Sequence, residues 1–157
     1  MENMNISRMT SAMFRTRQSI LAQRLQNAEL NGGQTDCLYT IGRHEGLSQM
    51  ELAERLFNSK SATAKSVKAL IEKGYVRREA DEQDKRLCHL YLTEKGRAMA
   101  PKLHQLYQEL VALHVKNLTA DEARQLIVLM EKVLTGLLQE KMSLEKGADA
   151  TIELRRD

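Results

Sequence analysis

Gly46-Leu47-Ser48-Gln49-Met50-Glu51-Leu52-Ala53, then Ser61-Ala62-Thr63-Ala64-Lys65-Ser66-Val67-Lys68, then Asp81-Glu82-Gln83-Asp84-Lys85-Arg86 together decide the fold. In the first stretch Ser48 and Glu51 have capping-box spacing, in which serine and glutamate each satisfy an orphan amide at a helix start. A helix is expected from there through Leu56. Residues 57–60 form a short link, and a second helix runs from about Ser61 to Lys73 until Gly74 closes it. Ala53 is small where a steeply crossing helix needs close approach. Beyond Gly74 the period changes: residues 75–79 and 87–92 read as short strands, with Leu90 and Leu92 on one face and Tyr91 on the other. Residues 80–86 are polar after the first and form a hairpin tip. The order is helix, tight turn, helix, hairpin.

On the second helix Val67 and Leu70 face inward, which leaves Ser61, Ala64, Lys65 and Lys68 as an outward stripe. Short side chains near the N-terminus and lysines further along suit the major groove of DNA, the first admitting close approach and the second reaching phosphate or guanine acceptors. Thr63 joins this group of candidate contacts. Ser48 and Gln49 cap their own helix, and the same N-terminus can receive a phosphate. The hairpin tip offers Lys85 and Arg86, with Arg77 and Arg78 at its base, and an arginine there can enter the narrow minor groove. The charge distribution agrees. Net charge is only +3, yet Arg55 to Arg86 hold nine Lys/Arg against five Asp/Glu, a concentration that marks a phosphate footprint.

Outward from this centre the chain is helical. Apolar residues at three- and four-residue intervals predict an N-terminal helix from about Asn5 to Leu30, ended by Asn31-Gly32-Gly33. Thr35 is expected to cap a short helix carrying Leu38 and Ile41. Thr93 caps a long helix to about Leu118, in which Pro101 should cause a bend or mark a late start. Thr119 and Glu122 form a second capping box before a last helix, and residues 143–157 read as a frayed tail.

Four pieces in this order and spacing resemble the MarR-type winged helix-turn-helix regulators. They are Gly46 to Ala53, Leu70-Ile71-Glu72-Lys73-Gly74-Tyr75-Val76-Arg77-Arg78, the tip Asp81 to Arg86, and Leu92-Thr93-Glu94-Lys95-Gly96-Arg97. The resemblance implies a mainly α fold: a winged helix-turn-helix with a two-stranded β-hairpin wing, and a helical dimerisation lobe built from the N- and C-terminal helices. Residues 1–34 would be the first dimerisation helix, 35–99 the DNA-binding domain and 100–142 the remaining dimerisation helices. It further implies a wing aspartate, here Asp84, that orients the wing arginine, Arg86. The family often shows Ser-Thr-Val-Thr-Arg where this chain has Ser61-Ala62-Thr63-Ala64-Lys65, and lysine lacks the arginine fork. The function expected is a homodimeric repressor on a pseudo-palindromic operator in double-stranded DNA, released by a small aromatic or anionic effector. Tyr39, Arg43 and His44 fall in the region where such an effector would sit.

Other readings are narrower. Hydrophobic residues at 42 % and charged residues at 29 % exclude a disordered composition. No apolar run approaches the roughly 20 residues of a spanning helix, and Arg8, Arg15 and Arg17 interrupt any secretory signal, so a cytoplasmic protein without membrane contact is expected. Cys37 and Cys88 are too few for a disulfide framework or a four-cysteine zinc site. Cys37 reads as a small buried hydrophobe, with a redox-sensing or metal-responsive thiol as the alternative. Asp36, His44, Glu45, His104 and His114 lack metal-ligand spacing, so no metal is expected. No cofactor is implied, and no nucleophile–base pair or phosphate loop suggests an enzyme. The alternative from another class is a helical dimer that engages a protein and has lost operator recognition.

Overall fold

The computed structural model describes residues 5–25, 29–84 and 86–153. The order is α1 (Ile6–Arg24), α2 (Gly32–Arg43), β1 (Leu47–Ser48), α3 (Gln49–Arg55), α4 (Lys60–Glu72), β2 (Val76–Ala80), β3 (Cys88–Leu92), α5 (Glu94–Val115) and α6 (Ala120–Glu153). The chain forms two compact units, Met1–Leu110 and Val111–Asp157.

Local chemistry sets most of the boundaries. Glu51 N–H donates to Ser48 Oγ at 3.2 Å and Ser48 N–H to Glu51 Oε2 at 2.8 Å, the capping box expected for α3. Thr119 and Glu122 repeat it for α6, with Thr119 N–H donating to Glu122 Oε2 at 2.7 Å. Gly74, at φ 76°, closes α4 in the left-handed region.

Three boundaries differ from expectation. α1 is described to Arg24 rather than Leu30, and Asn31, Gly32 and Gly33 do not end it; they begin α2. Asn31 is the better cap, since its side chain accepts from Gln34 N–H while Gln34 Oε1 accepts from Asn31 N–H. Thr35, expected as that cap, lies inside α2, fully buried, with its hydroxyl on Asn31 O at 2.8 Å. α5 begins at Glu94 and runs through Pro101, so the proline does not mark a late start. α6 continues past Ser143 to Glu153, supported by a Lys141–Glu145 pair and the absence of any proline.

The sheet is antiparallel in the order β1-β3-β2, so the expected two-stranded hairpin gains a third short strand, Leu47 opposite Leu90. Leu90 and Leu92 turn into the core with Leu21 from α1 and Leu25 at its C-cap, Leu38 and Ile41 from α2, Leu52 from α3, Val67 and Leu70 from α4, and Leu103 and Leu106 from α5. Each such side chain contributes about 1.5–3 kcal/mol on leaving water, and together they hold α3, α4 and the wing as one body. In the second unit α6 exposes Leu126, Ile127, Met130, Val133, Leu134 and Leu137.

Candidate nucleic-acid interface

α3 and α4 are joined by residues 56–59, where Phe57 takes φ 50° and Asn58 N–H donates back to Ala53 O at 2.9 Å. Ser59 caps α4 by accepting from Ala62 N–H at 3.1 Å. Thr63, Val67 and Leu70 then point inward and are fully buried. The outward face carries Ser61, Lys65 and Lys68, all exposed, with Ala64 half-buried beside them. Lys68 lies 3.8 Å from Glu72, a weak exposed pair that leaves it available.

Thr63 is therefore not a surface contact. It occupies the i, i+4, i+7 stripe that faces the core, and its buried hydroxyl has no hydrogen-bond partner among the described residues. A hydroxyl in that state carries an uncompensated desolvation cost of about 1–3 kcal/mol. Thr63→Val removes it while keeping the branched shape. The melting temperature should rise by a few degrees, equivalent to about 1 kcal/mol; a fall would show that the hydroxyl has a partner after all.

The wing is organised by Asp81. Its Oδ1 accepts from the N–H groups of Gln83 and Asp84, both at 2.8 Å, and its Oδ2 meets His89 Nε2 at 2.8 Å. These bonds, led by the Asp84 amide, pull the carboxyl down to about 2. Asp84 accepts the backbone N–H of Arg86 at 2.9 Å. The resemblance implies a contact with the guanidinium; the carboxylate instead shapes the turn, and the exposed Arg86 side chain makes no ion pair among the described residues. Lys85 lies outside the described residues. At the wing base, Arg77 pairs with Glu79 and covers the Tyr91 ring, while Arg78 donates to Gln49 Oε1 at 2.9 Å. These two arginines brace the head. Ser48 is occupied as a cap, and Gln49 keeps its amide donors outside the Arg78 bond.

The motif from Leu92 to Arg97 locks α5 onto the head. Thr93 Oγ1 donates to Gly74 O at 2.6 Å and accepts from Gly96 N–H, and Lys95 Nζ donates to Lys73 O at 2.7 Å. Glu45 accepts from Leu92 N–H and from Arg97. Burial works to raise the Glu45 carboxyl, but these donors outweigh it and hold it below its ordinary value.

Between α2 and α5 lies a cavity of about 340 Å³, lined by Leu38, Leu92 and Leu103 with Tyr39, Arg43, Arg97 and His104. It includes two of the expected effector residues. His44 is not among the lining residues; it caps the C-terminus of α2. Tyr39 also stacks on Tyr107, ring centres 3.9 Å apart. Cys37 is fully buried, and burial, then the Asp36 charge, push its thiol up to about 11. That environment suits a packing residue and disfavours the thiolate a redox sensor needs. Asp36 and Glu45 have protein partners, and no three His, Cys, Asp or Glu converge among the described residues. Nor is any described helix long and apolar enough to cross a membrane.

Sequence reasoning missed the link from Asp81 through His89 to Gly46, and the union of Arg17, Asp36 and Tyr107. Hairpin alternation offered a faint signal for the first; the second had none.

The profile of the MarR family matches residues 28–87. The multiple antibiotic resistance protein MarR of Escherichia coli (strain K12) is 30% identical over 130 residues, 82% of this chain and 90% of that protein. The transcriptional regulator BilQ of Clostridium symbiosum (strain WAL-14163) is 36% identical over 93 residues, which span 59% of this chain and 65% of BilQ. Among solved structures, a mutant E. coli MarR complexed with operator DNA superposes with a TM-score of 0.73 at 30% identity, covering 85% of this chain and 96% of that one.

Proposed function

The chain belongs to the MarR family of winged helix-turn-helix transcriptional regulators, and from that premise we propose that it is a cytoplasmic homodimeric repressor of a pseudo-palindromic DNA operator. The observation that carries this reading is the split of α4: a fully buried inner stripe fixes the helix, and Ser61, Lys65 and Lys68 stand exposed on the other side. Arg86 adds an exposed cation at the wing. Residues 35–99 are the reading head, in which Ser48, Gln49, Ser61, Ala64, Lys65, Lys68 and Arg86 meet DNA, with Asp84 shaping the turn beneath Arg86. Residues 1–34 and 100–142 are the dimerisation segments, and a second copy covers the exposed apolar face of α6. Two recognition helices then enter successive major grooves, half-sites about one turn or ~10 base pairs apart.

The effector is a small aromatic anion held in the α2–α5 cavity, with leucines against its ring and Arg43, Arg97 and His104 toward its charge. It releases DNA to the extent that it binds better to heads spaced wrongly for the operator.

The test is binding to DNA upstream of the protein's own gene, competed with random duplex at about physiological salt. Specific DNA should win by roughly a thousandfold, with two chains bound per site. Arg86→Ala should cost about 1–3 kcal/mol, and Lys65→Ala should lower the salt slope by about one if it meets phosphate. Equal competition by random DNA leaves two readings, an operator elsewhere or the protein-binding dimer that the Ala62 and Ala64 departures allow, and a genome-wide fragment selection decides between them: no enriched fragment overturns the operator reading.

A further inference from the structure

His89 sits at a junction that the DNA contacts do not themselves include. It lies on β3 opposite Ser48 of β1 and Glu79 of β2. Its Nδ1 is 2.8 Å from Gly46 O, in the turn before α3, and its Nε2 is 2.8 Å from Asp81 Oδ2. Both partners are acceptors only, so both ring nitrogens must carry a proton for both bonds to exist. A neutral imidazole has one N–H and must leave a lone pair facing either a carbonyl or a carboxylate. Asp81 is also the residue that ties the amides of Gln83 and Asp84 into the wing turn, one step from Arg86. A single ring therefore joins the helix-turn-helix to the wing tip.

Resting on the DNA-binding reading above, we infer that His89 is a positioning residue for the wing, tying Asp81, and so the turn that presents Arg86, to Gly46 of the helix-turn-helix only while the ring is an imidazolium. The two charged groups that act on the ring do so in the same direction. Asp81 is foremost; Glu51 on α3 adds a second negative charge, and Glu79 across the sheet is paired with Arg77. The hydrogen bond to Asp81, then that to Gly46 O, raise the ring above its ordinary value of 6.5. Asp81 stays ionised throughout the neutral range, being held at about 2. The wing lock is thus complete below the ordinary histidine value and is lost as pH rises through the raised one.

Two measurements on the full chain test this. Binding of a tetramethylrhodamine-labelled duplex of the upstream DNA that wins over random duplex is followed from pH 5.5 to 9, for wild type, His89→Gln and Asp81→Asn. The His89 ring protons and the Gln83 and Asp84 amides are followed by NMR over the same range without DNA. Wild-type affinity should fall about fivefold across the range, with the ring titrating above 6.5 and both amides moving at the same midpoint. His89→Gln should bind with the weakened high-pH affinity at every pH, and Asp81→Asn should lower the ring midpoint. Tight specific binding with the same pH profile in wild type and His89→Gln overturns the inference and leaves the DNA reading standing. So do amides that ignore the ring. Absence of specific binding by wild type at pH 5.5 overturns the DNA reading itself, and His89 then positions a wing with no DNA to meet.

Discussion

Gly96→Ala should lower the melting temperature by about 9 °C, equivalent to about 3 kcal/mol. A Cβ at Gly96 would lie 2.2 Å from Tyr75 O and 3.2–3.3 Å from the Leu92 side chain. The first of these neighbours is backbone and cannot swing aside. Tyr75 O is already committed, accepting Thr93 N–H at 3.1 Å, and Thr93 in turn holds Gly74 O and Gly96 N–H. To admit the methyl, α5 must lift from the β2 turn, and these bonds lengthen together. Helix propensity works the other way, since alanine is better than glycine inside a helix by about 1 kcal/mol. Overpacking against a fixed carbonyl outweighs that gain, so the net effect is a loss. Thermal unfolding followed by circular dichroism checks it. A melting temperature equal to or above wild type would mean that the Tyr75 carbonyl moves freely, and the bonds at Thr93 would then hold nothing in place.

The same region shows what can be read from the chain and what cannot. Helix starts at Ser48 and Thr119 are legible because a cap is decided by residues three apart. The winged helix-turn-helix follows from the change of period at Gly74. Thr63 is misleading although its spacing to Val67 and Leu70 is in plain sight: residue type suggests a contact, and geometry puts it in the core. Asn31 and Thr35 compete as caps four residues apart, and only the Asn31–Gln34 exchange decides between them. β1 has two residues and no period at all; it exists because β3 offers an edge. Contacts such as Asp36 with Tyr107 join residues far apart in the chain, and no local pattern announces them. The reading head is therefore visible as a pattern, and the bonds that hold it rigid are not.

Those long-range bonds set the last expectation, that Asp36→Ala costs about 3 kcal/mol. Asp36 receives Arg17 Nη2 at 2.6 Å and Nη1 at 3.2 Å, a two-pronged contact, and also the Tyr107 hydroxyl. Three helices, α1, α2 and α5, meet at one carboxylate. Arg17 and Asp36 are only 23% and 24% exposed, so water compensates poorly for a lost partner. Burial works to lower the Arg17 guanidinium, and the hydrogen bonds and charge of Asp36 outweigh it. Burial, then Asp36, hold the Tyr107 phenol well above its ordinary value. Alanine would strand a half-buried cation and a half-buried hydroxyl together. Asp36→Asn keeps an acceptor for the hydroxyl and should cost less, about 1–2 kcal/mol. The cycle with Arg17→Met separates the ion pair from the hydroxyl bond: if the ion pair carries the cost, Asp36→Ala in that background should lose at least half its effect. Because Tyr39 both stacks on Tyr107 and lines the α2–α5 cavity, a variant that frees Tyr107 should also weaken binding of an aromatic anion there, and titration calorimetry with salicylate as probe reads that directly.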